Sequence, residues 1–544
     1  MVVVAAVLVL GGGCGESWVA APLQPQWQVT AEPAAAEEAV PAEPAVAEES
    51  DESPEDRAPR LANFEPDSSE VPSRLSLEET VFLALQRNRS LRVQQFQPRI
   101  AGTFQALEQA AFDPVLYARY DTTRDYYRET IPRLEHEFRE LGEDVFELGV
   151  SRQLPAGTRV EASAAAWRED DTPDVGQNVS RVGLSFTQAL LRGRDTGANL
   201  ARVDRARIDV LASEYELRGF AEFLVAEVES TYWDCRLAQS KVAILNESLD
   251  LARRQLQETE QRIEAGVLPR TERFAAEAEV ALREQALIDA ESQRDVAQLK
   301  LGRLLDAMPG DGSPRQVELL TPMDAALAPL DAPHEHADLA VALRPDLNEA
   351  RARARQRSLD VVETRDGLLP QLDLFVRLGK TGYADSFDRS VGNLGRSGYD
   401  VFAGLHYEFP PANRAARAGY EAADLRHHQA HRAVENLEQL VQLDVRTAYV
   451  EVRRAQRQID AVATTVELQR KTLEAEQAKF RAGESTSLLV AHAQRDLLAG
   501  ELEQAEALAA LRKAVLDLYR LEGSLLIRRG IAAPGRVMRA EVDG

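Results

Sequence analysis

The sequence predicts an α+β membrane protein built from two internal repeats, in which amphipathic strands cross the membrane and very long helical hairpins stand away from it. Three observations carry this. Apolar and charged residues alternate over strand-length segments, helical periodicity runs almost unbroken from about Leu200 to Ile263 and from about Arg414 to Phe480, and both features recur in the same order. The chain of 544 residues is 44% hydrophobic but only 6% aromatic, so little of it need form a compact core. A net charge of −25 argues against nucleic acid as a partner, because a phosphate binder needs a basic face.

At the N-terminus an apolar run from Met1 to Leu10 leads through Gly11, Gly12 and Gly13 to Cys14. The run is too short to span a bilayer as a helix, and residues 1–13 read as an export signal ahead of a lipid-accepting cysteine. No Lys or Arg precedes the run, and Leu10 lies four residues before Cys14 rather than three. A plain signal peptide with an incidental cysteine therefore stays open. Cys235 lies in a helical stretch and reads as a packed thiol. Residues 14–73 follow as an acidic tether rich in Ala, Pro and Glu; Gly15 to Ser73 holds 14 acidic and 2 basic residues, a composition that favours disorder. Beyond it no run of 18 apolar residues occurs, so any crossing of a membrane is made by strands.

The body divides into repeat 1 (74–320), repeat 2 (321–527) and a C-terminal tail (528–544). Leu91 to Pro114 and Leu347 to Pro370 are equal helix-like segments, each ending in a Pro that opens a strand. Val228, Tyr232, Arg236, Ala238, Gln239 and Gly266 match Val445, Tyr449, Arg453, Ala455, Gln456 and Gly483 at a constant offset. The two offsets differ, which places extra residues in repeat 1 between about Tyr126 and Asn178. Each long helix stops at a glycine, Gly266 or Gly483, suited to the left-handed conformation after a helix end. Thr271, and Ser485 or Ser487, are candidate caps for the returning helices.

Strand segments show one apolar and one charged face. Leu372, Leu374, Val376 and Leu378 alternate with Asp373 and Arg377; Val182, Leu184 and Phe186 alternate with Arg181 and Ser185; Leu116, Ala118 and Tyr120 alternate with Tyr117, Arg119 and Asp121. A transmembrane barrel with a wet lumen has this pattern, and so does a soluble sheet with one solvated face. The export signal and the lack of a covering sheet favour the barrel. Four strands cannot close a barrel, so the protomer must oligomerise. The extra segment reads as one more hairpin, with Phe146, Leu148 and Val150, a turn at Pro155-Ala156-Gly157, and Ala162, Ala164 and Ala166. Its place, above the membrane or in the barrel, is open.

Over about Arg74 to Leu526 the chain resembles the TolC-like outer-membrane factor family. The resemblance rests on the duplicated element order, Arg344-Pro345-Asp346-Leu347, Leu369-Pro370-Gln371-Leu372, Phe409-Pro410-Pro411 with Asn413-Arg414, Gln188-Ala189-Leu190-Leu191-Arg192-Gly193, and the two glycine turns. It implies a homotrimeric transmembrane β-barrel, four strands per protomer and twelve in all, continued by a long α-helical periplasmic barrel. The expected function is a passive export duct of a tripartite efflux or type I secretion system, in the outer membrane and reaching into the periplasm. A periplasmic adaptor (membrane fusion) protein, an inner-membrane pump and outer-membrane lipid are the implied partners, and no cofactor or catalytic residue is expected. A non-pore coiled-coil protein linking outer membrane and periplasm is the competing reading.

The hairpin turns lie farthest from the strands, so Arg262, Gly266, Arg481 and Gly483 are the candidate tip and adaptor-docking residues. In the family, acidic residues follow the tip glycines and narrow the entrance. Here those positions carry Glu272, Ala275, Leu489 and His492. Glu272 becomes the candidate charged ring, Leu489 an apolar constriction, and His492 a residue that gains charge on acidification; simple packing of Leu489 and His492 is the alternative. Gly379-Lys380-Thr381 lacks the earlier glycine of a phosphate loop. His427, His428 and His431 read as a solvated helix face rather than a metal site.

Overall fold

The computed structural model describes residues 74–129, 137–171, 177–306, 317–325, 329–396 and 398–532. Cys14, the export signal and the acidic tether lie outside the described residues. A short strand β1 (Arg74–Leu75) leads into helices α1 (Leu77–Arg87), α2 (Arg89–Gln94) and α3 (Phe96–Gln109). Four strands follow: β2 (Val115–Glu129), β3 (Glu137–Leu154), β4 (Thr158–Asp171) and β5 (Gln177–Ala189). The helical hairpin α4 (Thr196–Glu264) and α5 (Glu272–Leu304) comes next, and then β6 (Glu318–Leu319), which pairs in parallel with β1. The second half runs α6 (Pro333–Leu343), α7 (Pro345–Asp366), β7 (Gln371–Ala384), α8 (Phe387–Asn393), β8 (Tyr399–Glu408), α9 (Arg414–Ala482), α10 (Ser487–Glu522) and α11 (Leu525–Arg528).

Helices α4 and α9 are each 69 residues long, about 100 Å at 1.5 Å per residue. Their length follows from an apolar seam. The buried residues of α9 include Val441, Val445, Ala448, Val452, Ala455, Ile459, Val462, Val466, Leu473 and Phe480, a 3.5-residue repeat that keeps one stripe facing a partner helix. Gly500 on α10 sits where a Cβ would come within 2.1 Å of Gln469 Oε1, so that crossing is close.

Both long helices end as expected. Gly266 (φ 77°) and Gly483 (φ 81°) are left-handed, and the bonds Val267 N to Arg262 O (2.9 Å) and Glu484 N to Lys479 O (2.9 Å) satisfy the last carbonyls. The caps differ from expectation. Thr271 makes no capping bond, and α10 is capped by Thr486, whose Oγ1 accepts from Leu489 N. Ser485 and Ser487 are otherwise engaged, donating to Glu476 and Glu272.

All the long strands form one antiparallel sheet in the order β2-β3-β4-β5-β7-β8. The extra segment of repeat 1, read from the sequence as a hairpin of open placement, supplies β3 and β4, which lie in the same sheet between β2 and β5. Helix α8, which no periodicity signalled, folds back on the sheet. Ser390 Oγ lies 2.6 Å from Ser180 Oγ, and a Cβ on Gly382 would meet Ser390 O at 2.1 Å. Beside the sheet, α3, α4, α7 and α9 pack as successive neighbours.

The last described residues, up to 532, return to the body. Leu525, Leu526 and Ile531 are buried with Tyr232, Trp233 and Leu75, and Arg529 forms a two-pronged pair with Glu229 at 2.6 Å on each arm. Nearby, Glu222 is buried beside Arg218 at 3.4 Å, and Arg218 also donates to Gly523 O. Burial pushes the Glu222 carboxyl up to about 7, against the opposing pull of Arg218. Its ordinary value is about 4.3. Between those values the folded protein holds a proton that the unfolded chain has released, so this group's stability is full below the window and lost as pH rises through it. Thermal unfolding in detergent should therefore lose up to about 3 kcal/mol between pH 4.5 and 7.5 through Glu222. Glu222→Gln should flatten that part of the profile. Parallel profiles for the two proteins would refute it.

Candidate functional site: a two-faced strand wall and the hairpin tip

The register places the apolar residues of six strands in continuous rows. Leu116, Val150, Ala162, Leu184, Leu378 and Val401 form one row, and the next holds Ala118, Leu148, Ala164, Val182, Lys380 and Tyr399. Most of these side chains are exposed, Leu116 to 74% and Tyr399 to 79%, and Lys380 is the one charged residue among them. Tyr407 at one end of β8 and Tyr399 at the other lie on the same face as Val401, Ala403 and Leu405.

The opposite face is polar. There Arg181 pairs with Asp400 at 2.6 Å, Tyr117 donates to Glu161 at 2.5 Å, and Arg377 lies over Phe375 and Phe402 at 5.7 Å from each ring centre. Period-two alternation keeps the faces separate, since each residue step turns the side chain to the other side. Farther out along the strands the apolar side becomes charged, with Arg124 bonded to Asp144 at 2.9 Å.

At the turns that end α4 and α9, the two helical hairpins touch. Arg262 lies 4.4 Å above the Phe480 ring and donates to Phe480 O at 3.3 Å, so it ties the first hairpin to the second. Gly266, Arg481 and Gly483 are exposed, and a Cβ on either glycine would meet open space. Glu272 accepts a hydrogen bond from Ser487 across the hairpins. Leu489 and His492 are exposed on α10.

Residues that periodicity did not single out also join the hairpins. Glu279 is buried between Arg283 (2.6 Å, same helix) and Arg495 of α10 (3.0 Å). Beside them Ala252, Ala275, Gln255 and Gln494 line a cavity of about 50 Å³. The Glu279/Arg283 spacing was visible as a helical i,i+4 pair, but the partner 216 positions away had no local signal. His427 stacks edge-on to His431 with ring centres 4.7 Å apart. Among the described residues no group of three or more His, Cys, Asp or Glu could hold a metal, and no helix is long and apolar enough to cross a membrane.

A two-faced strand wall carried on helices about 100 Å long defines a class of protein: a membrane-embedded channel component with a long extramembrane extension. The model of the outer membrane efflux protein family matches residues 81–307 and 337–524, and the chain belongs to that family. Pyoverdine export outer membrane protein OpmQ of Pseudomonas putida is 27% identical over 391 residues, covering 70% of this chain and 78% of that protein. Alkaline protease secretion protein AprF of Pseudomonas aeruginosa is 26% identical over 185 residues, covering 33% of this chain and 37% of that one. The CmeC outer membrane channel of Campylobacter jejuni shares the fold at a TM-score of 0.58 and 15% identity, over 82% of this chain and 86% of that chain. The protein is an outer-membrane efflux or secretion channel.

Proposed function

We propose that this chain is one protomer of a homotrimer that acts as a passive export duct, its strands closing a transmembrane β-barrel and its helices continuing as an α-helical periplasmic barrel. The single observation that carries this reading is the sheet: largely exposed apolar rows on one face, charges on the other, and edges at β2 and β8 that pair with no other described strand and that a neighbouring protomer satisfies. The two halves, alike in element order and in their 69-residue helices, are internal repeats. Lipid on Cys14 anchors the chain through the acidic tether.

The exposed tip, with Gly266, Arg481 and Gly483 beside the inward-tied Arg262, docks a periplasmic adaptor protein that links the duct to an inner-membrane pump. Glu272, Leu489 and His492, one or two helical turns from the tip glycines, narrow the entrance. An energy-coupled pump drives transport, and this chain supplies the path.

Planar-bilayer recording tests the reading. Purified trimer should give discrete channels, with cation selectivity that is reduced in Glu272→Gln and a pH dependence that is reduced in His492→Ala. Absence of any conductance would sink the duct. Channels whose selectivity and pH response match wild type in both variants would remove these residues from the entrance.

A further inference from the structure

We propose that the trimer closes an 18-stranded barrel, with each protomer contributing all six strands, rather than the 12-stranded barrel that four strands per protomer would give. The inference rests on the trimeric barrel proposed above and goes beyond it in the strand count and the width of the pore.

The inserted hairpin is part of the wall. Strand β2 pairs with β3 along its full length, Val115–Glu129, and β4 pairs with β5, with no break in the ladder. The apolar rows continue through it: Val150 and Ala162 lie between Leu116 and Leu184, and Leu148 and Ala164 lie between Ala118 and Val182. On the other face Glu147, Ser163 and Glu161 continue the polar side. A hairpin standing above the membrane would have no reason to carry an apolar stripe in register with its neighbours. Its turn is also anchored at the stalk: Gly157 O accepts from Ala189 N at 3.0 Å, and Asn199 of α4 donates to both Pro155 O and Gly193 O at 2.7 Å.

Closure and width agree with this count. All neighbours are antiparallel, so with six strands β8 runs opposite to β2, and β8 of one copy can pair antiparallel with β2 of the next. Six strands spaced about 4.8 Å apart and tilted about 40° occupy about 38 Å of circumference, whereas four occupy about 25 Å. The four helices abreast beneath them, α3, α4, α7 and α9, occupy about 36–40 Å at 9–10 Å each. The six-stranded sheet therefore meets its stalk without a taper. The backbone diameter is about 36 Å, against about 24 Å for twelve strands, wide enough for an aqueous channel of porin calibre.

The test uses the full chain in lipid nanodiscs. Imaging along the axis should count 18 strands; twelve strands with β3 and β4 detached from the wall would overturn the proposal. A second arm uses single-cysteine variants in a Cys14→Ser, Cys235→Ala background, each carrying a fluorophore, with quenchers in the lipid tails or in water. Ala162→Cys on β4 should be quenched from lipid as strongly as Leu184→Cys in the same row on β5, and Ser163→Cys should be quenched only from water. If Leu184→Cys is quenched from lipid and Ala162→Cys is not, the hairpin lies outside the wall and this inference fails while the barrel stands. If neither is quenched from lipid, or no closed ring forms, the barrel reading itself fails.

Discussion

Gly157→Val should largely abolish the assembled protein in the outer membrane. Gly157 is left-handed (φ 73°), which strains a β-branched residue by about 1–3 kcal/mol. The greater cost is steric. A Cβ there would lie 2.0 Å from Gly193 O and 3.0 Å from Gly193 C, which are backbone atoms at the corner where β5 turns into α4. That corner is itself held by Leu190 N to Leu372 O (2.7 Å) and Gly193 N to Asp366 Oδ2 (2.8 Å), so it cannot retreat cheaply. The turn must leave the corner or the corner must break, at a combined cost above about 3 kcal/mol, a large part of the usual stability of a domain. The readout is the yield of heat-sensitive oligomer from outer-membrane fractions. Wild-type yield and melting would show that the β3–β4 turn does not sit on the stalk.

Glu229→Ala should destabilise the helical body by about 3 kcal/mol and shift its unfolding midpoint down by several degrees. Glu229 is 1% exposed and its two oxygens are matched by the Arg529 guanidinium. Removing the carboxylate leaves the Arg529 cation without its two-pronged partner, while the guanidinium's partial exposure, 33% of the side chain, limits the penalty. The double substitution Glu229→Leu with Arg529→Met should recover most of the loss, because it removes both desolvation costs and keeps the volume filled. A double variant no more stable than Glu229→Ala would mean that the pair itself, rather than the orphaned charge, carries the effect.

The sequence by itself determined what depends on near neighbours. A 3.5-residue apolar repeat is written within a few turns of α9, and a helix stops at Gly266 and Gly483 because only the local backbone decides whether a left-handed residue is tolerated. The two faces of each strand are local for the same reason, since period-two alternation needs no partner to be read. The end of β5 and the entry to β7 at Pro370 were legible in the same way.

Caps were less so. Ser485 and Ser487 have hydroxyls as suitable as that of Thr486, which caps α10, but Ser485 donates to Glu476 of α9 and Ser487 to Glu272 of the neighbouring hairpin. Strand pairing was beyond the sequence altogether. Residues 137–171 alternate as a two-faced strand pair does, but which strands they pair with is not written in that alternation; only the tertiary structure sets β3 against β2 and β4 against β5. The tip clasp of Arg262 on Phe480 and the Glu229–Arg529 pair join residues 218 and 300 positions apart. Such contacts leave no periodic trace in the chain, because each forms only after long loops have closed and separate helices have packed.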